Sequence, residues 1–161
     1  MKSLLKKIFH QKAETSVNNK LSLVSFHSDW NRLVEKWLSN KISLNKDENV
    51  WFYTQQLLAS IDNGGLVSFY YNSGADNIEE TLTALSQLEA YNIIEQIEQF
   101  NGLFPGIEKN NDLDRRNEII NSWGEMEVEI QNTIEEKIIL MTDDIEDKLV
   151  QYIIKKQLSS I

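Results

Sequence analysis

Between Trp30 and Ile153 the apolar residues return at intervals of three and four, and nowhere do they alternate as in a half-buried strand. Trp30, Leu33, Val34, Trp37 and Leu38 predict one helix, and Val50, Thr54, Leu57, Leu58 and Ile61 give the next a single apolar face. Ile78, Leu82, Leu85 and Leu88 line a third, and Ile93, Ile94, Ile97 and Phe100 a fourth. Leu113, Ile120 and Trp123 predict a helix that opens near Asn111 or Asp112. Met126, Ile130, Ile134, Ile138 and Met141 predict one inward stripe, and Ile145, Leu149, Tyr152 and Ile153 face inward on the last helix. A chain of 161 residues with this pattern is expected to be all-α, a single compact domain, of about six to eight helices.

The punctuation fits that reading. Asn45 followed by Glu48 is a capping-box start. Gly64 and Gly65 stop the helix that begins there, because glycine takes positive φ without a Cβ clash. Leu66 to Tyr71 is either one helical turn or a short extended run. Asp76 with Glu79 predicts another box-like start with Asp76 as the cap, Ser28 or Asp29 is expected to cap the Trp30 helix, and Thr142 the last one. Three regions follow: a basic segment, residues 1–20, expected to be flexible; an N-terminal helix and connection, 21–46; and an acidic helical body, 47–158. Residues 1–12 have an amphipathic pattern in Leu4, Leu5, Ile8 and Phe9, but fraying is the expectation for such an end.

Charge is divided unevenly. Residues 1–46 hold nine Lys/Arg against three Asp/Glu, and residues 47–161 seven against twenty-two. So acidic a body repels nucleic acid and attracts basic partners. No stretch has the length of a membrane span, and Lys6 and Lys7 interrupt the opening residues, so a cytoplasmic protein is expected. The absence of cysteine excludes disulfides, thiolate metal sites and cysteine nucleophiles.

Catalytic signatures are wanting. Gly65 is followed by Leu66, Val67 and Ser68, where a phosphate loop requires a lysine and a hydroxyl. His27-Ser28-Asp29 has the residue types of a triad, but consecutive residues cannot form its relay, and His10 lies in the terminal segment. Asp112-x-Asp114 resembles the opening of a calcium loop, yet Asn117 stands where that loop needs glycine. Asp143, Asp144, Glu146 and Asp147 are better explained as carboxylates favoured at a helix N-terminus than as a cation site. An enzyme using the Asn63–Asn72 neighbourhood would have Asn72, Ser73 and Asp76 as polar ligands around a pocket, but no nucleophile–base pair is visible there. No enzyme activity, cofactor or metal is expected. Phe69 and at least one of Tyr70 and Tyr71 are expected in the core.

What remains is the spacing of carboxylates. Glu125, Glu129 and Glu136 share one helix face with Asn132 between them, and Asp114 with Glu118, Glu95 with Glu98, and Asp143 with Asp147 form shorter rows. Residues four apart lie about 6 Å apart along a helix, comparable with the spacing of DNA phosphates, about 3.4 Å of rise per strand.

"DNGGLVSFYYNSGAD" with "TALSQLEA", and then "LFPGIEKNNDLDRRNEII", resemble the signature of a bacterial domain family named for a DNA-mimic protein. The matching residues are Asn63, Gly64, Gly65, Phe69, Tyr70, Tyr71, Asn72, Ser73, Ala84, Leu85 and Ala90 in the first block. In the second they are Phe104, Pro105, Gly106 and Arg116, and the close around Tyr152 is similar to the family's final helix. The resemblance covers roughly residues 48–156. One departure is Glu89, where the family usually has glycine, so that helix can end differently here.

The resemblance implies an all-α fold and, for the characterised type, an acidic dimer that occupies the DNA-binding face of a repressor or histone-like protein. The shared motifs specify fold and do not carry the mimicking carboxylates. The expectation is therefore an acidic binding protein for a basic partner: a transcription factor, a histone-like protein or a toxin. An immunity protein against a basic nuclease is the alternative. The expected partner-binding residues are Asp114, Glu118, Glu125, Glu129, Glu136, Asp143, Asp144 and Asp147. Asn63, Gly64, Gly65, Phe69, Asn72 and Asp76 are expected to form the structural motif.

Overall fold

Seven α-helices and two short 3₁₀ turns succeed one another in the computed structural model, which describes residues 21–39, 43–106 and 112–160; no strand occurs among them. The helices are α1 (His27–Leu38), α2 (Lys46–Tyr71), α3 (Ile78–Gln87), α4 (Tyr91–Asn101), α5 (Leu113–Ser122), α6 (Glu125–Ile139) and α7 (Thr142–Lys155). The turns are Leu23–Phe26 and Ser73–Asn77. Residues 1–12, with the amphipathic pattern for which fraying is the expectation, lie outside the described residues.

The centre is α2. Helices α1, α3, α5, α6 and α7 all pack on it, and α4 bridges α3 and α6. Five consecutive residues, Val50 to Thr54, are buried, so this helix is enclosed all round there and does not have the single apolar face its periodicity predicts. Asn45 and Glu48 form the expected box: the Glu48 N–H donates to Asn45 Oδ1 at 2.9 Å and the Asn45 N–H to Glu48 Oε2 at 2.7 Å. Aromatic rings lock α1 to α2, with Trp37 and Trp30 stacked on Phe52 at 4.9 and 5.7 Å between centroids. A second cluster stacks Tyr70 on Phe104 at 5.0 Å, and Phe100 and Trp123 close around them.

Gly64 and Gly65 divide α2 into two helical halves at a kink. Neither has helical dihedrals, and Leu66 to Tyr71 continue as helix beyond them. Gly65 has φ 78°, ψ −177°, a region that residues with a Cβ avoid. The restarted turn presents new N–H groups at its N-terminus, and Glu135 of α6 fills the place of a cap. Its carboxylate accepts from Leu66 N at 2.7 Å and Val67 N at 2.9 Å. Phe69 and Tyr70 are fully buried and Tyr71 is exposed. Gly74 is held against this run: a Cβ there would lie 2.5 Å from Phe69 Cδ2.

Three expected caps take other roles. Asp76 does not cap α3, whose N-cap is Asn77; its carboxylate accepts from Arg116 Nη2 at 2.7 Å. Neither Ser28 nor Asp29 caps α1, because the turn at Leu23–Phe26 already leads into it and Phe26 is the N-cap. Asp29 sits in the first turn, pairs with Arg32, and accepts from the Ser160 N–H at 3.1 Å and hydroxyl at 2.9 Å. Thr142 is the first residue of α7, with Met141 as its N-cap, and its hydroxyl donates to Ile139 O at 2.9 Å.

Helices α3 and α7 end in the same hydrogen-bond pattern. Ala90 N donates to Leu85 O and Glu89 N to Ser86 O, and likewise Leu158 N to Ile153 O and Gln157 N to Ile154 O. This closure places its turning residue in the left-handed region where glycine is favoured, and Glu89 and Gln157 take it at φ 54° each.

Candidate partner-binding surface

The solvent face of α6 follows from its two anchors. Ile134 and Ile138 are buried against the body. At about 100° per residue, Glu125, Glu129 and Glu136 fall within roughly 40° of one another, on the side opposite those isoleucines. All three are exposed, and among the described residues no ion pair engages them. The row is a consequence of the burial: residues that cannot face α2 and α4 face water.

The inward stripe predicted for α6 holds only in its second half. Met126 and Ile130 are 67% and 41% exposed, with Val128 also at 41%. The first two turns of α6 therefore carry apolar side chains beside the carboxylate row.

The other expected residues lie on α5 and α7. Asp114 and Glu118 are exposed one turn apart on α5, where Arg115 reaches Glu118 at 2.8 Å. Asp143 and Asp144 are exposed in the first turn of α7, and Asp147 is half-buried. Asp144 is paired with Lys148 at 2.9 Å, and Asp147 also has a partner. Such exposed pairs contribute little, about 0–1 kcal/mol. Asp143 and Asp144 point to different grooves, the first towards α1 and α2 and the second towards the start of α4.

Sequence reasoning gave no such role to Asp62, or to Glu146 beyond the helix dipole. With Asp143 they line one groove of about 310 Å³, whose lining includes no lysine or arginine. It also left Glu135 without a role. The available signal was position: Glu135 lies beside Ile134 and three before Ile138, at the edge of the buried stripe. A larger groove of about 450 Å³ between α2 and α3 has Glu79 and Glu80 on one wall and Lys46 on the other. Tyr53 lines it, its hydroxyl pushed above the usual tyrosine value by burial and by the nearby Glu80 carboxylate.

The conspicuous polar residues of the glycine stretch hold backbone. Asn63 Nδ2 donates to Ala59 O at 2.7 Å and Asn72 Nδ2 to Ser68 O at 2.8 Å, each at the end of one half of α2. Arg116 is fully buried and gathers the end of that helix: Nε donates to Tyr70 O at 2.9 Å and Nη2 to Asn72 O at 3.1 Å. Among the described residues no group of carboxylates or histidines is arranged to hold a metal ion, and no helix is long and apolar enough to cross a membrane. The carboxylate rows can accept from lysine and arginine side chains of another molecule.

The model of the DMP19-like protein family matches residues 42–157, well over half of the chain. No curated protein and no solved structure matches it.

Proposed function

The chain belongs to the DMP19-like protein family, and from that premise we propose that it is an acidic, non-enzymatic binding protein that engages a basic, DNA-binding protein as a DNA mimic. The observation that supports this most directly is the row Glu125, Glu129 and Glu136, exposed on α6 opposite its buried isoleucines. Glu125 and Glu129 are about 6 Å apart along the axis, on the same scale as the rise of about 3.4 Å between phosphates of one strand, so the row offers charge that a basic groove tracking phosphates can meet. Asp114 and Glu118 on α5 and Asp143 and Asp144 on α7 extend the acidic surface. A cytoplasmic location belongs to the same reading. So does a homodimer, for which Met126, Val128 and Ile130 offer apolar surface beside the row.

The test is capture of the partner from the native cell on the full chain, repeated with the triple variant Glu125→Gln, Glu129→Gln, Glu136→Gln. Exposed charges are screened beyond about 8–10 Å at ordinary ionic strength. The wild-type affinity should therefore fall with salt, and the variant should bind more weakly with a shallower salt dependence. Unchanged affinity in the variant removes α6 from the interface. A captured toxin, with rescue of toxin-treated cells, would replace the mimic reading with an immunity role.

A further inference from the structure

Asparagine followed by glycine occurs twice in the chain, at Asn63-Gly64 and at Asn101-Gly102. Such a pair has a reaction of its own. The backbone nitrogen of the glycine can attack the side-chain carbonyl carbon of the asparagine, because no Cβ on the glycine shields it. A five-membered succinimide closes and the side-chain nitrogen leaves as ammonia. Water then opens the ring at either carbonyl, giving aspartate or isoaspartate.

The fold treats the two pairs differently. Asn101 is half-buried at the end of α4, and its Oδ1 accepts from the hydroxyl of fully buried Tyr70 at 2.6 Å. Gly102 N donates to Gln99 O at 3.1 Å, and Gly102 keeps helical dihedrals, φ −61° and ψ −17°. Both reacting groups of that pair are held in place. Asn63 and Gly64 are exposed, and the Asn63 amide donates to Ala59 O in an exposed bond that water can replace at little cost. Attack requires the peptide plane between residues 63 and 64 to rotate, which turns ψ of Asn63 and φ of Gly64 together, since the plane itself is rigid. Gly64 already stands outside the helical region at φ 171°, ψ 26°, and Gly65 follows it, so two residues without a Cβ absorb the rotation.

We propose that Asn63 is a site of spontaneous deamidation, and that the reaction loosens the junction between the two halves of α2. The Gly64 nitrogen forms the new bond to Asn63 Cγ, and its proton passes through solvent to the leaving nitrogen, which departs as ammonia. One water is consumed when the ring opens. The product has one more negative charge, next to Asp62, and has lost the donor to Ala59 O. Repulsion from Asp62 and the negative end of the preceding helix both disfavour that charge. Isoaspartate also adds a carbon to the main chain just ahead of Leu66 and Val67, whose N–H groups Glu135 accepts from.

The test keeps the full chain in mildly alkaline buffer, samples it over days, and maps its peptides by mass spectrometry with isoaspartate resolved by chromatography. A parallel sample in concentrated urea gives the rate of each pair in the unfolded chain. In urea the two pairs should convert alike. In the folded protein Asn101 should convert at least about tenfold more slowly than Asn63, because its reaction waits on local opening of the structure. Conversion of Asn101 as fast as that of Asn63, or an Asn63 that stays intact while the urea sample reacts, overturns the assignment. Asn63→Gln should remove the acidic species that isoelectric focusing detects, since glutamine must close a larger ring; acidic species that form at the wild-type rate overturn it as well. The loosening is read separately, by urea unfolding of the purified deamidated protein. Its midpoint should lie below that of the unreacted protein, and equal midpoints overturn that part. None of these readouts involves a binding partner, so the modification and the mimic reading fail separately.

Discussion

The Glu135 carboxylate occupies the space that a side chain on residue 65 would need: an ideal Cβ on Gly65 would lie 2.7 Å from both of its oxygens. The glycine and the glutamate form one device. Gly65 interrupts α2 and lets α6 approach, and Glu135 then accepts from the two N–H groups that the interruption frees.

Gly65→Ala should destabilise the fold by about 1–3 kcal/mol through its dihedrals alone, with displacement of Glu135 adding to that. Glu135→Ala leaves the N–H of fully buried Leu66 without its acceptor, at a cost of about 1–3 kcal/mol. Urea unfolding of both single variants and the double variant checks the coupling. Because each substitution disrupts the same contact, the double should lose less than the sum.

Arg116 is fully buried and joins Tyr70 O, Asn72 O and Asp76. Arg116→Met leaves the carbonyl of fully buried Tyr70 without this donor, at a cost of about 1–3 kcal/mol, and removes the bond to the more accessible Asn72 carbonyl. Arg116→Lys keeps the charge but not the planar fork, so it should recover only part of the loss. Denaturant midpoints of the two variants decide this; a lysine variant as stable as the wild type would contradict the geometry.

Glu89→Gly should stabilise the protein. Glu89 holds φ 54° at the close of α3. A left-handed conformation costs an ordinary residue about 1–2 kcal/mol, and the greater freedom of glycine in the unfolded chain offsets part of that gain. A thermal melt should show a rise of a few degrees, with the Lys148 contact to Glu89 O retained because it uses backbone.

Stability should depend on pH at both extremes through the contact of α2 with α7. Burial and the Asp47 carboxylate push the Tyr152 hydroxyl up to about 12 from its ordinary 10.0. The unfolded chain therefore releases this proton first, and the contribution present below pH 10 is lost as pH rises towards 12. The Tyr152 hydroxyl and Lys156 hold the Asp47 carboxyl below its ordinary 3.8. Its contribution is present above that value and is lost as pH falls through and below it. Urea midpoints across both ranges should fall less steeply in Tyr152→Phe on the alkaline side and in Asp47→Asn on the acid side.

Features whose partners lie within one helical turn were legible from residue order. The Asn45–Glu48 box and the break at Gly64 and Gly65 form as expected, and a helix opens at one of the two expected places, after Asp112, which accepts from Arg115 N at 2.9 Å. The all-α class was legible too, because helical periodicity states which residues share a face. Asp76, Asp29 and Glu135 were not legible in this way. Asp76 has the spacing of a cap and serves Arg116, forty residues away in sequence. Asp29 reaches Ser160 and Glu135 reaches Leu66, and no local pattern announces either partner.

The sequence alone determined that this chain is helical, that its aromatic run lies largely in the core, that its charge is acidic beyond residue 46, and which family it resembles. The tertiary structure decided which of the equally spaced apolar residues on α6 meet the body, burying Ile134 and Ile138 and leaving Met126 and Ile130 at the surface. It also decided which carboxylates are enclosed as caps and ion-pair partners and which remain open to solvent. The reason is physical: periodicity specifies a direction around a helix axis, but only the neighbouring helix specifies how far along that axis burial extends.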